Sequence, residues 1–492
     1  MILSGCLYND VENTSSENKD IIYRLTVLPK DFSDNREDID NLKEIYSGLF
    51  QGLVTLDEKG EVMPDMSKSF EILSDGLEYR FTLRKDIYRS DGRKITSLDF
   101  LNFFKEALSG ERADYLSENL KMVYGVMDYH NNKTSFSRVA IKAPDEDTLV
   151  FRLNYKSEDF LEILSRREYY LRDFNSLKNL KEDYGKTFYT GSFYIDSFEE
   201  GKLILKRNPY YYDKSSSLKS NIVLIENLTK ESILADINIE LCDLFQDPPL
   251  SQLRSLEEKV NINKSYKGIT YGMSFNEEVT DKELRKAIEK ALYLGYLTDE
   301  TGDLSFGEYT YGKLVYNKAE TKEDTLRASV SLDNNVKNTD ISRERLLAEE
   351  YLKTSVVFSK DNTFILGIEE EDKGRRIGEF TKNALEKYLG LKVQIVYLSK
   401  EEFIKAVEEG KYDAYIEAYN GKTQESLLED ESNKEKLLYV PLFYDFKIVC
   451  SQKNIKGIKF DNEGGLILKE LNKVDIKDEE NKEDFWYRLP IG

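Results

Sequence analysis

The chain has 492 residues, a formal net charge of -21 and 40% hydrophobic residues. That length exceeds what one core can serve and implies two or three domains. The acidic balance speaks against nucleic acid as a partner, because phosphate binding needs a basic surface, and no apolar run is long enough to cross a bilayer.

At the start, Leu3-Ser4-Gly5-Cys6 is similar to a lipobox, and the polar run Asn9 to Lys19 behind it suits a tether. Cys6 is then the expected lipidation site. The five residues before it are too few for a signal peptide, so the natural precursor is expected to be longer. Ile21 to Leu28 reads as a first strand, followed by a charged loop from Asp31 to Asp40.

The stretch from Leu49 to Phe104 is the most informative. Leu77, Tyr79, Phe81 and Leu83 alternate with Glu78, Arg80, Thr82 and Arg84, the pattern of a strand with one buried face. Asp75-Gly76 supplies a turn, which places Phe70 and Ile72 on a paired strand. After a second turn at Ser90-Asp91-Gly92, Thr96 and Asp99 form a capping box. Phe100, Leu101, Phe104 and Leu108 make the apolar face of the helix that follows.

Further on, Val139 to Leu153 holds a strand pair with a turn at Pro144-Asp145. A hairpin turns at Glu200-Gly201 and ends in Arg207-Asn208-Pro209 before three tyrosines. Tyr271 to Asn276 is a strand, and the helix from Asp281 shows Leu284, Ile288, Ala291 and Leu292 on one face. Asp299 to Asp340 reads as loop. The last third alternates: strands at Thr363–Ile368, Lys392–Leu398 and Tyr412–Tyr419, with helices at Arg375–Leu389 and Lys400–Glu409, each helix closed by glycine. Such alternation implies right-handed crossovers and a largely parallel sheet.

This ordered set of motifs resembles the peptide-binding class of extracellular solute-binding proteins, the receptors of ABC importers. The resemblance rests on Gly52-Leu53-Val54, Asp57, Gly60, Pro64, Ser74-Asp75-Gly76-Leu77, Leu83-Arg84, Ser90-Asp91-Gly92, Thr96, Asp99, Asp147-Thr148-Leu149, Thr190-Gly191, Arg207-Asn208-Pro209 and Leu284-Arg285 with Ala287-Ile288. It spans Ile21 to about Leu471. The chain departs from the pattern at Ser192, where the family has Pro, and its one Trp, Trp486, lies in the charged tail. Leu438 to Val449 resembles the strand pair that closes the family fold.

The resemblance implies an α/β, two-lobed periplasmic-binding-protein-like fold with a hinge and an extra α+β domain. Residues 1–20 are then a tether. The first lobe combines 21–49, 189–270 and 438–471; the extra domain is 50–188; the second lobe is 271–437; a charged tail covers 472–492. The implied function is capture of a peptide outside the membrane by a lipid-anchored monomer and its delivery to an importer permease, by hinge closure. A sensory or scaffolding lipoprotein of the same fold is the alternative.

No catalytic constellation stands out. His130 is the single histidine, which argues against a His-based triad, a multi-histidine metal site and nickel carriage. It reads as a solvated residue in a polar turn. No phosphate-binding glycine loop or nucleophile elbow is present, and neither a cofactor nor a metal is expected. Acidic runs such as Glu369-Glu370-Glu371-Asp372 read as solvated faces. Cys242 and Cys450 lie in apolar runs and are either buried free thiols or a disulfide.

The richness in tyrosine, 33 residues, suits a receptor needing rigid amphipathic walls. The ligand is expected at the carboxyl end of strand Tyr412–Tyr419. The family carries an Asp just after this strand that receives the peptide's amino terminus. Here Tyr419 holds the aromatic position and Lys422 falls where that Asp would be, with Asn420 between them. Either Glu417 or Glu425 is the anchor, or the ligand presents a carboxylate or blocked terminus to Lys422. Tyr115 and Tyr271 match aromatic positions lining the relatives' cleft.

Overall fold

The computed structural model describes residues 20–25, 27–29, 32, 41–57, 60–73, 75–109, 113–177, 180–216, 219–226, 229, 242–249, 252, 255–256, 258–297, 307–309, 341–357, 362–420, 426–427, 430–461 and 464–474. One eleven-stranded sheet runs through most of it. From one edge its order is Lys392–Leu398, Thr363–Glu369, Ala414–Asn420, Asn261–Phe275, Tyr439–Ser451, Leu244–Gln246, Ile21–Leu25, Ile222–Glu226, Lys202–Arg207 and Phe193–Glu199. Gly307–Tyr309 adds to Tyr439–Ser451 from the side.

Two of these strands matter most. Asn261–Phe275 and Tyr439–Ser451 have 15 and 13 residues, well beyond the common strand length of roughly 5–6. They pair antiparallel along nearly their whole length, and the register slips between Tyr266 and Thr270 and again between Tyr271 and Gly272. At one end Tyr439–Ser451 carries the pairing with Leu244–Gln246 and through it Ile21–Leu25. At the other, Asn261–Phe275 pairs with Ala414–Asn420, and that strand runs parallel to Thr363–Glu369. The slips are thus the place where one ladder is handed over to the other.

Side-chain packing separates into three large cores. One gathers residues from both ends of the chain, such as Tyr23, Tyr46, Phe193, Leu205 and Leu468. A second lies between Leu53 and Leu171, with Phe81, Phe104, Phe151 and Phe160 at its centre. The third joins Met273, Ile288, Leu366, Leu385 and Ile416. Phe50, Tyr170, Leu177 and Leu180 pack with the first of these cores.

The hairpin expected around Asp75-Gly76 is present as Ser67–Ile72 and Glu78–Leu83, with Phe70 opposite Phe81. Tyr79, Phe81 and Leu83 are buried, Leu77 is half-buried, and Ile72 is exposed. Thr96 and Asp99 make the capping box on helix Ser97–Ala107, whose buried face includes Phe103 as well as Phe100 and Phe104.

Several expectations need correction. The turn near Pro144 falls at Glu146-Asp147, because Ile141–Asp145 is all strand. The closing segment is one long strand, Tyr439–Ser451, rather than a pair. Gly307–Tyr309 is strand rather than loop; the rest of the segment read as loop, up to residue 340, lies outside the described residues, as does the Asp31–Asp40 loop apart from Phe32. His130 ends the short helix Val126–His130, with Nε2 at 3.2 Å from Asp114. Cys242 and Cys450 are buried free thiols.

The Arg207-Asn208-Pro209 signature has a structural role. The Arg207 guanidinium donates to Ser216 Oγ and to the carbonyls of Ser220, Lys469 and Leu471, at 2.9–3.0 Å. It thereby pins the C-terminal segment onto the first lobe, and its burial pulls its pKa down to about 10. Asn208 donates to the Gly191 carbonyl at 2.9 Å. Gly191 must be glycine, since a Cβ there would lie 2.3 Å from the Gly48 carbonyl.

Candidate functional site between the lobes

Parallel strands Lys392–Leu398, Thr363–Glu369 and Ala414–Asn420 all end toward the register slips. Carboxyl ends of such strands are where open α/β sheets bind ligands. The polar groups gathered at this edge fall on both sides of the sheet.

On one side, Tyr419 is buried, and its hydroxyl lies 2.7 Å from Ser274 Oγ. Its ring meets Tyr439 edge-on, with centroids 5.1 Å apart at 86°. Burial raises the Tyr419 pKa, and the neighbouring Glu417 carboxylate pushes it the same way. Glu417 is half-buried and faces Gly272 across the ladder. A Cβ on Gly272 would sit 2.2 Å from the Tyr439 ring. The missing side chain therefore leaves room for the tyrosine pair beside Glu417.

On the opposite side, Tyr271 donates to Glu371 Oε1 at 2.6 Å. Its pKa is raised, first by burial and then by that carboxylate. Glu371 is the N-cap of helix Asp372–Leu389, where the helix's positive end favours a carboxylate. Two residues on, the Lys373 ammonium bonds the buried Asp445 carboxylate and donates to the Phe446 carbonyl at 3.3 Å. Two residues further along the same strand, Lys447 reaches Glu44 on helix Leu42–Leu49. Strand Tyr439–Ser451 is thus tied to the second lobe by Asp445 and to the first by Lys447.

Glu417 and Tyr419 therefore come together, while Tyr271 sits on the adjoining strand with its side chain on the other face. Asn420 ends the strand opposite Ile269. Tyr115 belongs to a different neighbourhood: its ring packs on the core centred on Phe104, and its hydroxyl lies 3.4 Å from Glu168. Lys422, Glu425 and Cys6 lie outside the described residues. Sequence reasoning missed Ser274, Glu371, Lys373, Tyr439, Asp445, Lys447 and Glu44. Glu371 is exposed, as the acidic run suggested, yet it also accepts the Tyr271 hydroxyl.

No group of His, Cys, Asp and Glu suited to a metal ion occurs among the described residues. The arrangement offers hydroxyls, carboxylates and tyrosine faces along a sheet edge between two lobes, the equipment of a binding cleft.

Residues 61–427 match the family model for bacterial extracellular solute-binding proteins, family 5 middle. The chain belongs to that family. A dipeptide-binding protein of Lactococcus lactis is 27% identical over 287 residues, which cover 54% of this chain and 49% of the relative. The oligopeptide-binding protein SarA of Streptococcus gordonii is 31% identical over 198 residues, covering 37% and 29%. The chain thus matches about half or less of the length of these curated relatives. Among solved structures, the unliganded open form of the periplasmic murein tripeptide-binding protein MppA aligns with a TM-score of 0.69 at 14% identity, covering 94% of this chain and 99% of that one. A periplasmic oligopeptide-binding protein from Borrelia burgdorferi gives 0.61 at 18%, covering 92% and 100%. These likenesses establish the two-lobed α/β fold. The family is one of extracellular binding proteins.

Proposed function

We propose that this protein is a receptor that captures a peptide between its lobes and hands it to an ABC importer. The observation that carries the reading is the pair of long strands crossing between the lobes, with the tyrosine–carboxylate cluster of Glu417, Tyr419 and Tyr439 at the sheet edge beside their register slips. Backbone groups at such an edge can pair with an extended peptide, as in strand addition. Closure turns about the slips and buries the ligand with no covalent step. Cys6 carries the lipid that holds the receptor, as a monomer, at the outer face of the membrane. No cofactor or catalytic turnover is part of this reading.

Glu417 is the group proposed to meet the peptide's amino terminus, with Tyr419 and Asn420 next on its strand; the family resemblance adds Tyr271, on the opposite face of the sheet, and Tyr115, on the extra domain, as walls facing the ligand from other sides. Lys422, in place of the family's acid, favours a ligand whose second anchor is a carboxylate. The same substitution also supports a second reading, a receptor of this fold that signals rather than feeds transport. Peptide-dependent growth of a strain lacking the gene separates the two: restoration by the intact gene means transport.

Calorimetry with a bound peptide on Glu417→Gln, Tyr419→Ala and Lys422→Ala tests the site. Loss of a desolvated charged partner costs roughly 2–5 kcal/mol, so Glu417→Gln should weaken binding well over tenfold. Unchanged affinity in all three variants means that the peptide binds elsewhere.

A further inference from the structure

A second polar site lies away from the interlobe edge. A cavity of about 220 Å³ opens between the first lobe and the extra domain. Its walls come from residues 47–65, 162–170 and 461–469, so the second lobe contributes none of the described lining. Sites for drug-sized ligands run to roughly 300–1,000 Å³, which restricts this one to a small metabolite.

The lining groups are unevenly satisfied. Arg167 and Asp461 pair with each other at 2.5 Å. Gln51 is 5% exposed; its Nε2 donates to the Tyr211 hydroxyl at 2.7 Å, and its Oε1 has no partner. A buried acceptor in that state is costly and calls for a donor. Beside it, Asp65 accepts from the Tyr212 hydroxyl at 2.7 Å. Lys469 and Arg166 also line the cavity, and neither forms a direct ion pair among the described residues, although Asp65 and Glu470 act on Lys469 at longer range. The field of the Tyr211 hydroxyl, helped by Asp65, keeps the Lys469 ammonium protonated against the effect of burial.

An acceptor lacking a donor, beside two cations that form no direct ion pair and a carboxylate, together describe a site for a zwitterion. We propose that this cavity binds one free α-amino acid, its carboxylate held by Lys469 and Arg166 and its ammonium by Gln51 Oε1 and Asp65. Because the second lobe takes no part, occupancy does not depend on hinge closure or on the peptide.

The test is calorimetry of the full chain with each of the common amino acids, with acetate and ethylamine as single-charge probes. At least one amino acid should bind with one-to-one stoichiometry, more tightly than either probe. Lys469→Met and Gln51→Leu should each weaken it at least tenfold, and Glu417→Gln should leave it unchanged. Arg166→Gln serves where either variant melts early, since it removes no ion pair. The proposal fails if no amino acid binds, if acetate binds as well, if the three cavity variants bind normally, or if Glu417→Gln abolishes binding. A failure of peptide capture would leave this outcome untouched, because the two sites share no residue.

Discussion

Lys447 and Glu44 stand 403 positions apart in sequence and 2.5 Å apart in the fold, 4% and 2% exposed. Glu44 also accepts the Leu466 backbone N–H at 2.7 Å. The pair joins the lobe-crossing strand to the first lobe beside the first register slip, where Lys447 pairs with Ser265. Removing one partner of a buried pair costs about 3–5 kcal/mol, whereas replacing both by apolar groups is often near neutral. Lys447→Met should therefore lower stability by that amount in urea unfolding, and Glu44→Leu with Lys447→Met together should lose less than Lys447→Met alone.

The same pair sets a pH dependence. Burial raises the Glu44 pKa above its usual 4.5, and the Lys447 charge only partly offsets this. The folded protein then holds a proton on Glu44 at pH values where the unfolded chain has released it. This contribution to stability is complete below the unfolded value and is lost as pH rises from about 4.5 through the raised value. Urea midpoints measured across that window should fall less steeply for Glu44→Gln than for the natural chain.

How legible these features were follows from their range in the chain. The hairpin at Phe70 and Phe81 could be read because alternation and an Asp-Gly turn are local signals. The capping box of Thr96 and Asp99 spans a single turn and was equally readable. Helix Leu42–Leu49 carries Leu42, Ile45, Tyr46 and Leu49 at helical spacing, a signal that was present and passed over. The ties from Lys447 to Glu44 and from Lys373 to Asp445 have no local pattern, because only the tertiary fold brings their partners together. The position of Tyr419 was legible through family resemblance, but its bond to Ser274 depends on the register of two strands. Tyr115 likewise drew its expected cleft role from a motif match, while its contacts with Glu168 and an aromatic core come from the tertiary fold and had no local signal.

Gly272 offers a packing test. A methyl group there meets the Tyr439 ring and hydroxyl at 2.2–2.5 Å, and overpacking of this kind costs about 1–3 kcal/mol. Gly272→Ala should lower the melting temperature and weaken peptide binding together, since it displaces the tyrosine pair beside Glu417. Adding Tyr439→Ala should restore part of the lost stability but not the binding.

The thiols give a chemical test. Burial pushes the Cys450 thiol up to about 12, and Cys242 is buried with its Sγ 2.9 Å from the Leu244 carbonyl. Thiolate is the reactive form. In a Cys6→Ser background, the folded protein at about pH 8 should react negligibly with an aromatic disulfide reagent. Unfolding in guanidinium should release two equivalents. Prompt labelling of the folded protein would show that this part of the core opens.

Native mass spectrometry of the intact protein after incubation with a defined peptide pool tests the central claim most directly. The account predicts one peptide retained per chain, every peptide in the pool recovered uncut, and a melting temperature that rises with peptide concentration. Cleaved products from the pure protein, or no peptide retained at any concentration, would contradict it.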